Sequence, residues 1–306
     1  MRHLPNSYEY VSLDVFTSEP FKGNPLAVVP KANGLSDAAM QSIANEFNLS
    51  ETVFLFPPDA TGALAKARIF TPKQELPFAG HPTIGAAAVL AERDESLEGF
   101  VIEEKVGRVP IDLERTAGAL RLWLTTPPVA FYETLDPAFC ARLLGLTVGE
   151  IRHEVAPQFA SAGSPLLFVC LQSSEAVDRA AIQQQYLCEA LGSVNSVGTF
   201  VFAMKHRTTE SFDVYSRMFA PQTGVPEDPA TGGATGPLAA YMMKHGLLPT
   251  DQSVDFTSEQ GTQMGRQSIL YVRTNAESGE IKVGGSTVTI ARGVLTAPQS
   301  VGPTEP

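Results

Sequence analysis

The sequence predicts an α+β fold with two pseudo-symmetric domains, each a rolled, mostly antiparallel sheet around a central apolar helix. Three observations carry this prediction. The chain has 306 residues, about twice the usual domain size of roughly 150. Strand, turn and helix signals occur in the same order in both halves. Each half also contains a helix without a polar face, and such a helix needs cover on every side.

The first half opens with a hairpin and a surface helix. Tyr8–Phe16 alternates apolar and polar residues, which predicts a half-buried strand, and Leu26–Val29 returns after a turn as a second strand. Ser36 is typical of a helix N-cap, and the helix after it has one apolar stripe. Glu51 follows that helix and directly precedes the next strand, residues 52–56.

Two later segments predict the central helices. Pro82–Ala91 has proline at its favoured first position and almost no polar face. Thr231–Met243 is its counterpart in the second half, and Gly246 ends it in the usual way. Strands precede and follow both helices, so a rolled sheet would cover each of them.

Colinear internal matches indicate a duplicated fold, because their offsets grow in one direction along the chain. We therefore predict domains of residues 1–126 and 127–306, with a last strand near 286–293 that packs back on the first domain. The matches are residues 23–26 with 163–166 (offset 140), 48–54 with 195–201 (offset 147), Arg68, Phe70, Pro72 and Pro77 with Arg217, Phe219, Pro221 and Pro226 (offset 149), and 107–108 with 265–266 (offset 158).

Composition narrows the class of protein. With 22 basic and 33 acidic residues the net charge is −11, which disfavours nucleic acid and membrane surfaces as partners. No apolar run is long enough to span a bilayer, and residues 1–7 lack the apolar segment of a secretory signal, so we expect a cytoplasmic location. The three widely spaced cysteines, Cys140, Cys170 and Cys188, are expected to be small buried side chains.

Glycines at the start of the second central helix suggest a ligand site. The predicted helix contains Gly232, Gly233 and Gly236. In a helix interior each glycine costs about 1 kcal/mol of stability relative to alanine. Open amides and the helix dipole at such a start favour a carboxylate or phosphate. Residues 78–82 form a second helix start, so one hypothesis is an anion held from both sides in a cleft between the domains. Tight packing of the glycines against a sheet is the alternative.

Three titratable residues are candidates for acid/base chemistry. Glu51 stands opposite Gly198 in the repeat, which suggests that the fold does not need its carboxylate. A solvated carboxylate at a helix end is the alternative interpretation. Asp228 precedes a proline and is also typical of a helix N-cap, and His81 is compatible with a cap or a packed imidazole.

The sequence offers no signal for a metal or an organic cofactor, and we expect neither. There is no dinucleotide-binding, phosphate-loop or nucleophile-elbow motif. The remaining histidines have no second ligand at metal spacing; they are His3, His153, His206 and His245.

Several segments together resemble the PhzF-like family of phenazine-biosynthesis isomerases. They are Asp14-Val15-Phe16, Gly23-Asn24-Pro25, Asn48-Leu49-Ser50-Glu51-Thr52, residues 68–72 and 76–82, and Glu227-Asp228-Pro229-Ala230-Thr231-Gly232. The resemblance implies a diaminopimelate epimerase-type fold, often assembled as a homodimer, and isomerisation of a small carboxylated metabolite without a cofactor.

The resemblance also implies roles for individual residues. The glutamate at the position of Glu51 moves a proton between carbons, and His81 and Asp228 match supporting acid/base and binding residues. Gly80 and the segment Thr231, Gly232 and Gly233 match the backbone that holds the substrate carboxylate. Gly233 departs from the serine that the family often has there, and no cysteine stands at either helix start, which excludes a two-thiol epimerase.

The leading hypothesis is therefore a cofactor-independent isomerase that uses Glu51 as a single acid/base. Two alternatives stay open at this point. One is a two-base epimerase or racemase of a small acid that pairs Glu51 with Asp228 or His81. The other is a non-catalytic protein that binds a small metabolite with the same fold.

Overall fold

The computed structural model describes residues 7–116, 119–191, 194, 196–205 and 212–297, and these form a mixed α/β fold rich in short strands. His3, Asn195 and His206, which entered the sequence analysis, lie outside this part of the chain. The helices are α1 (Asp37–Phe47), α2 (Gly80–Ala91), α3 (Pro137–Leu144), α4 (Ser174–Arg179), α5 (Gln184–Leu191) and α6 (Gly232–Lys244). The strands are β1 (Ser7–Val15), β2 (Asn24–Val29), β3 (Thr52–Phe56), β4 (Ala65–Phe70), β5 (Glu75–Leu76), β6 (Gly99–Glu104), β7 (Gly107–Thr116), β8 (Ala119–Thr125), β9 (Ala130–Thr134), β10 (Gln158–Ser161), β11 (Leu166–Cys170), β12 (Gly198–Met204), β13 (Val214–Ala220), β14 (Val225–Asp228), β15 (Val254–Gln260), β16 (Ser268–Thr274), β17 (Ile281–Gly285) and β18 (Thr287–Thr296).

The chain divides into two compact units. The first contains the residues up to Phe21, Pro25–Leu124 and the residues from Ser286 onward. The second contains Lys22–Asn24 and Thr125–Gly285. No helix in the described part of the chain is both long and apolar enough to cross a membrane.

The first unit surrounds α2 with strands. β1 pairs antiparallel with β18, β2 pairs parallel with β3, and β4 pairs antiparallel with β3 and parallel with β6. Helix α2 packs against β1, β3, β4 and β18. All 12 of its residues are buried, because a helix with no polar face gains most when no face meets water. The predicted apolar central helix of the first half is confirmed.

The second unit has a corresponding set of pairings around α6. β11 pairs parallel with β12, and β13 pairs antiparallel with β12 and parallel with β15. Helix α6 packs against β10, β11, β16 and β17. Its Tyr241 is fully buried among Phe168 and Phe202, and its hydroxyl donates to the carbonyl of Ala156 at 2.7 Å, so the one polar atom of this ring is satisfied.

The strand registers agree with the offsets of the sequence repeat. In the first unit Thr52 pairs with Ala27 on one side and with Phe70 on the other. In the second unit Thr199 pairs with Leu167 and with Phe219, which places the matched strands at offsets 140, 147 and 149. The same correspondence extends to an arginine in each unit that binds a glutamate through two nitrogens and lies over a phenylalanine ring: Arg68 with Glu75 and Phe70, and Arg217 with Glu227 and Phe219.

The central helices correspond at an offset of 152. Helix α2 begins at Gly80 and α6 at Gly232, and in each a threonine in the first turn, Thr83 or Thr235, donates back to the carbonyl four residues earlier. At the strand offset of 149 Ala230 would stand opposite His81, but the helices do not follow that offset. Three extra residues between the strand and the helix of the second unit bring Gly233 opposite His81.

Some local predictions are confirmed and others need correction. Ser36 caps α1 by accepting from the amide of Ala39. Helix α2 begins two residues before Pro82, and α6 begins at Gly232, one residue later than expected. Cys188 is exposed, so the expectation that all three cysteines are buried was wrong for that residue.

We predict that a side chain at Gly85 on α2 destabilises the first unit. A Cβ there would lie 2.2 Å from Cδ2 of Leu26 and 3.0 Å from Cδ1 of Leu13, so Gly85→Val should lower the free energy of unfolding by about 1–3 kcal/mol. Urea unfolding measures the change. Gly149→Val is the control, because nothing lies within 4 Å of that Cβ position; equal loss in both variants would contradict the packing argument.

Candidate active site

Glu51 and His81 meet in the first unit. Helix α1 ends with Asn48 in the left-handed conformation (φ 50°), and the chain then reaches Glu51 immediately before β3. The Glu51 side chain is 15% exposed, and its Oε2 lies 3.2 Å from Nε2 of His81. The structure thus joins two of the three predicted acid/base residues in one carboxylate and imidazole pair.

Burial determines the charge of His81. The ring is 4% exposed as the second residue of α2. Loss of hydration disfavours the charged imidazolium and lowers the pKa of His81 to about 3, so the ring is neutral at pH 7. The ring nitrogen Nε2 lies beside the Glu51 carboxylate at 3.2 Å, a contact that does not have hydrogen-bond geometry. His81 is therefore a packed imidazole that also faces the candidate base.

The contrast between Glu51 and Gly198 has a steric cause. A Cβ at Gly198 would lie 2.4 Å from the backbone carbonyl oxygen of Phe219, a distance that no side chain tolerates. Glycine is thus required at this position of the second unit. The argument for Glu51 as an acid/base depends on its own surroundings, namely partial burial and the imidazole of His81.

Asp228 belongs to a buried network in the second unit. Its Oδ1 accepts from Asn24 Nδ2 at 2.8 Å, and its Oδ2 accepts from the hydroxyl of Thr231 at 2.6 Å. Gln260 donates from Nε2 to the carbonyl of Asp228 at 2.7 Å and to Thr231 Oγ1 at 2.9 Å, and its Oε1 accepts from the amide of Thr231. These bonds fix the carboxylate in an orientation set by three neutral side chains.

This network corrects the interpretation of Asp228 as a helix N-cap. Helix α6 begins at Gly232 with Thr231 as its N-cap residue, and the Thr231 hydroxyl is directed to Asp228 instead of to the helix amides. No side chain caps α6, and none caps α2, whose N-cap residue is Ala79. The first turns of both helices, with Gly80 in one and Gly232 and Gly233 in the other, therefore keep the open start that favours an anion.

Gly236 does not belong to this open start. A Cβ there would lie 2.3 Å from Oγ1 of Thr126, so this glycine serves the packing of α6. The two interpretations of the glycines thus apply to different residues: packing explains Gly236, and the open helix start concerns Gly232 and Gly233.

Sequence reasoning missed Asn24 and Gln260. Both are fully buried, and both bond the segment that carries Asp228. Asn24 was assigned to a turn, although it begins β2 and donates to Ala230 as well. The feature of the sequence that could have identified Asn24 is the polar residue in Gly-Asn-Pro at the start of a strand. Gln260 ends β15 and gives no local signal, because its partners are 29 and 32 residues away in the sequence.

Metal-ligand clusters were also considered. Within the described residues, no group of three or more histidine, cysteine, aspartate or glutamate side chains is placed to hold a metal ion.

Comparison with known proteins shows the family to which the chain belongs. The model of the family described as phenazine biosynthesis-like protein matches residues 13–293. An uncharacterized isomerase of Mesorhizobium japonicum is 40% identical and trans-2,3-dihydro-3-hydroxyanthranilate isomerase of Pseudomonas aeruginosa is 37% identical; each match covers 94% of this chain and 98% of the relative. The chain belongs to this family, PhzC-PhzF, and is an isomerase.

Solved structures agree on the fold. The PhzF-family phenazine biosynthesis protein of Bacillus anthracis matches with a TM-score of 0.85 and 24% identity over 94% of this chain and 99% of that one. A hydroxyproline epimerase of Agrobacterium vitis matches with a TM-score of 0.62 and 13% identity over 97% of this chain and 94% of the other. The fold is therefore shared with enzymes of the racemase and epimerase type.

We predict that His81 makes stability depend on pH in mildly acidic solution. Its pKa is about 3 in the folded protein and near 6.5 when unfolded, so the unfolded state binds the extra proton and stability falls as pH drops below about 6.5. Between pH 7 and pH 5 the parent should lose roughly 2 kcal/mol relative to His81→Gln, measured by urea unfolding. His153→Gln, at a site where the ring is 80% exposed, should keep the parent's slope. An unchanged slope in His81→Gln would contradict a buried neutral ring.

We also predict that Asn24→Ala destabilises the second unit. The substitution leaves Asp228 Oδ1 and the carbonyl of Ala230 without the Asn24 donor, which should cost about 1–3 kcal/mol of unfolding free energy. The control Asn45→Ala removes one exposed bond to Pro72 and should cost less than about 0.5 kcal/mol. Chemical unfolding of the two variants side by side checks the difference, and equal costs would contradict the role of the buried amide.

Proposed function

We propose that this isomerase moves a proton between two carbons of a small carboxylated metabolite without a cofactor, with Glu51 as both base and acid. The observation that carries the proposal is the 3.2 Å contact between Glu51 Oε2 and Nε2 of the neutral, buried His81. A neutral imidazole beside the carboxylate does not neutralise it as an imidazolium would. Glu51 is therefore available as a base.

The reaction consists of two proton transfers through one carboxylate. In the first, Glu51 takes a proton from an activated carbon, which leaves a carbanion delocalised over the unsaturated substrate and a neutral Glu51 carboxyl. In the second, the same carboxyl returns the proton to another carbon, so a double bond shifts and Glu51 is ionised again. His81 stays beside Oε2 in both steps, and Oε1 carries the proton. The product is a tautomer of the substrate, with no net gain or loss of atoms.

Substrate binding is proposed for the open helix starts. Backbone amides at Gly80 of α2 are suited to donate to a carboxylate, and so, in the other unit, are those at Gly232 and Gly233 of α6, since no side chain among the described residues caps either helix. Asp228 and Thr231, fixed by their mutual bond, would contact polar substituents. The relative from Pseudomonas aeruginosa is named for a cyclic, unsaturated amino acid, which makes this chemical class the first to test. Gly233 replaces the serine frequent in the family, so we propose a related but different substrate.

Three finer points belong to the same proposal. We propose that the two units are pseudo-symmetric copies of one rolled-sheet fold, a view supported by the matching registers and the paired arginines. We also propose that the protein is a cytoplasmic homodimer without nucleic acid or membrane partners. The resemblance to the PhzF-like family supports the dimer, and the net charge of −11 supports the absence of anionic partners.

We predict that Glu51→Gln abolishes turnover. The amide cannot accept the substrate proton, so kcat should fall by about 10²–10⁴. A thermal-shift screen of cyclic carboxylic acids, beginning with trans-2,3-dihydro-3-hydroxyanthranilate, identifies a ligand, and proton NMR in deuterated water follows its conversion. Glu46→Gln, an exposed neighbour on α1, is the matched control and should keep the parent rate.

The outcomes separate the candidate functions. A shifted double bond with partial retention of the substrate proton supports a single base. Inversion at one carbon with full solvent deuterium would support a two-base epimerase and overturn the shuttle. Ligand binding with no proton exchange would indicate a metabolite-binding protein, and turnover by Glu51→Gln at the parent rate would remove Glu51 from the mechanism.

A further inference from the structure

Glu104 is a buried carboxyl that the proposed mechanism does not use. It is the last residue of β6 and is 8% exposed. Its Oε1 lies 2.6 Å from the hydroxyl oxygen of Thr83 in the first turn of α2. Its Oε2 is buried and has no hydrogen-bond partner among the described residues. A carboxylate in this position would be an ion without a cation, which is costly in a protein interior.

The hydrogen count at Thr83 requires a proton on Glu104. Thr83 Oγ1 lies 2.7 Å from the carbonyl oxygen of Ala79 as well as 2.6 Å from Glu104 Oε1. A hydroxyl has one hydrogen and can donate to only one of these acceptors at a time. Both short contacts are hydrogen bonds only if Glu104 carries a proton and donates to Thr83, which in turn donates to Ala79. The chain of bonds then runs from β6 to the residue that precedes Gly80 and His81.

We propose that Glu104 is a positioning residue that acts as a neutral carboxylic acid and, through Thr83, holds the start of α2 and with it Gly80 and His81. This inference rests on the proposed function in one respect, since only that function gives His81 a part in the reaction. The hydrogen bonds themselves do not depend on that function. Deprotonation would remove the donor and force the Thr83 hydroxyl to turn from Ala79 to Glu104.

The second unit has an amide at the corresponding position. In the first unit Lys66 pairs with Glu103, and in the second Tyr215 pairs with Glu259, so the next residues, Glu104 and Gln260, correspond. Gln260 donates from Nε2 to the hydroxyl of Thr231 at the start of α6. A protonated Glu104 presents the same donor and acceptor pair as a glutamine amide, and an ionised one does not. The correspondence with Gln260 thus indicates a protonated Glu104, as the hydrogen count at Thr83 does.

The surrounding charges do not compensate an ionised Glu104. Burial raises the pKa of Glu104 to about 8, and the hydrogen bond between Glu104 and Thr83 offsets only part of that rise. On α2 the titratable neighbour is His81, which is neutral. The cavity that Glu104 borders also contains acidic Asp59, Glu75 and Glu103 and basic Lys66, Arg68, Lys105 and Arg108.

The basic groups of that cavity are directed elsewhere or exposed. Lys66 binds Asp59, Arg68 binds Glu75 and Asp37, and Arg108 donates to the carbonyls of Thr61 and Gly62; Lys105 is exposed. Of the acidic groups, Glu103 accepts from the amides of Asp59 and Ala60. Glu104 is thus neutral over most of the pH range in which the enzyme would work.

The proton on Glu104 makes the stability of the protein depend on pH. The folded-state pKa of about 8 lies above the unfolded value near 4.3, so the folded state holds the proton in between. The stabilisation is complete below the unfolded pKa and is lost as pH rises through about 8. Over this window the folded-to-unfolded ratio of the parent should fall about tenfold per pH unit relative to that of Glu104→Gln.

The test compares Glu104→Gln, Glu104→Ala and the control Glu103→Gln, whose parent residue binds the exposed loop amides of Asp59 and Ala60. Two readouts are taken from pH 5 to pH 9: urea unfolding, and the ¹⁵N chemical shifts of the His81 ring. In the parent and in Glu103→Gln, the His81 shifts should move with a midpoint near pH 8. In Glu104→Gln they should stay at the parent's neutral-pH values throughout, because the amide replaces the protonated acid. Glu104→Ala should displace them at every pH.

Each outcome supports or overturns the proposal. A transition near pH 8 that persists in Glu104→Gln overturns it, as does a Glu104→Gln protein that fails to fold, since a neutral isostere is predicted to fit. His81 shifts that are the same in Glu104→Ala and the parent would show that Glu104 does not position the helix start. If Glu51→Gln leaves turnover intact while Glu104→Gln removes the His81 transition, the proposed function fails and the positioning role stands.

Discussion

The structure depends on one constraint: a helix with no polar face must be enclosed by strands. Helix α2 buries all of its residues, including His81 in its first turn. Loss of hydration makes His81 neutral and favours a proton on Glu104. These protonation states are thus consequences of the same burial that stabilises the fold.

The two units meet this constraint in different ways at their helix starts. Around α6 the groups are neutral donors with fixed geometry: Asn24, Gln260 and Thr231 together orient Asp228. Around α2 the groups are titratable, and a single hydroxyl, Thr83, connects Glu104 to the helix backbone. At the start of α6 neutral donors thus surround a carboxylate, whereas at the start of α2 the carboxyl group of Glu104 is itself proposed as the donor.

Periodicity and local signals predicted much of the fold. The apolar helices, the cap at Ser36 and the position of Glu51 between a helix and a strand all follow from residues close in sequence. The bonds of Asn24 to Asp228 and Ala230 and those of Gln260 to the helix start could not be predicted, because their partners are distant in the sequence. The residue that corresponds to His81 could not be predicted from a single offset either, because the second unit has three additional residues between strand and helix. Asp228 was mistaken for a cap because Asp-Pro is a sound local signal that the Thr231 hydroxyl overrides.

Three corresponding positions differ between the two units. Glu51 corresponds to a glycine that the Phe219 carbonyl enforces, His81 to Gly233, and Glu104 to an amide. A carboxylate at position 198 would have no space, and without it an imidazole at 233 would have no corresponding carboxylate beside it. The contact at Gly198 is thus a steric cause of the difference between the two units at this position. At the third position an amide, Gln260, bonds the helix start of the second unit, where the first unit has the carboxyl group of Glu104 bonded to Thr83.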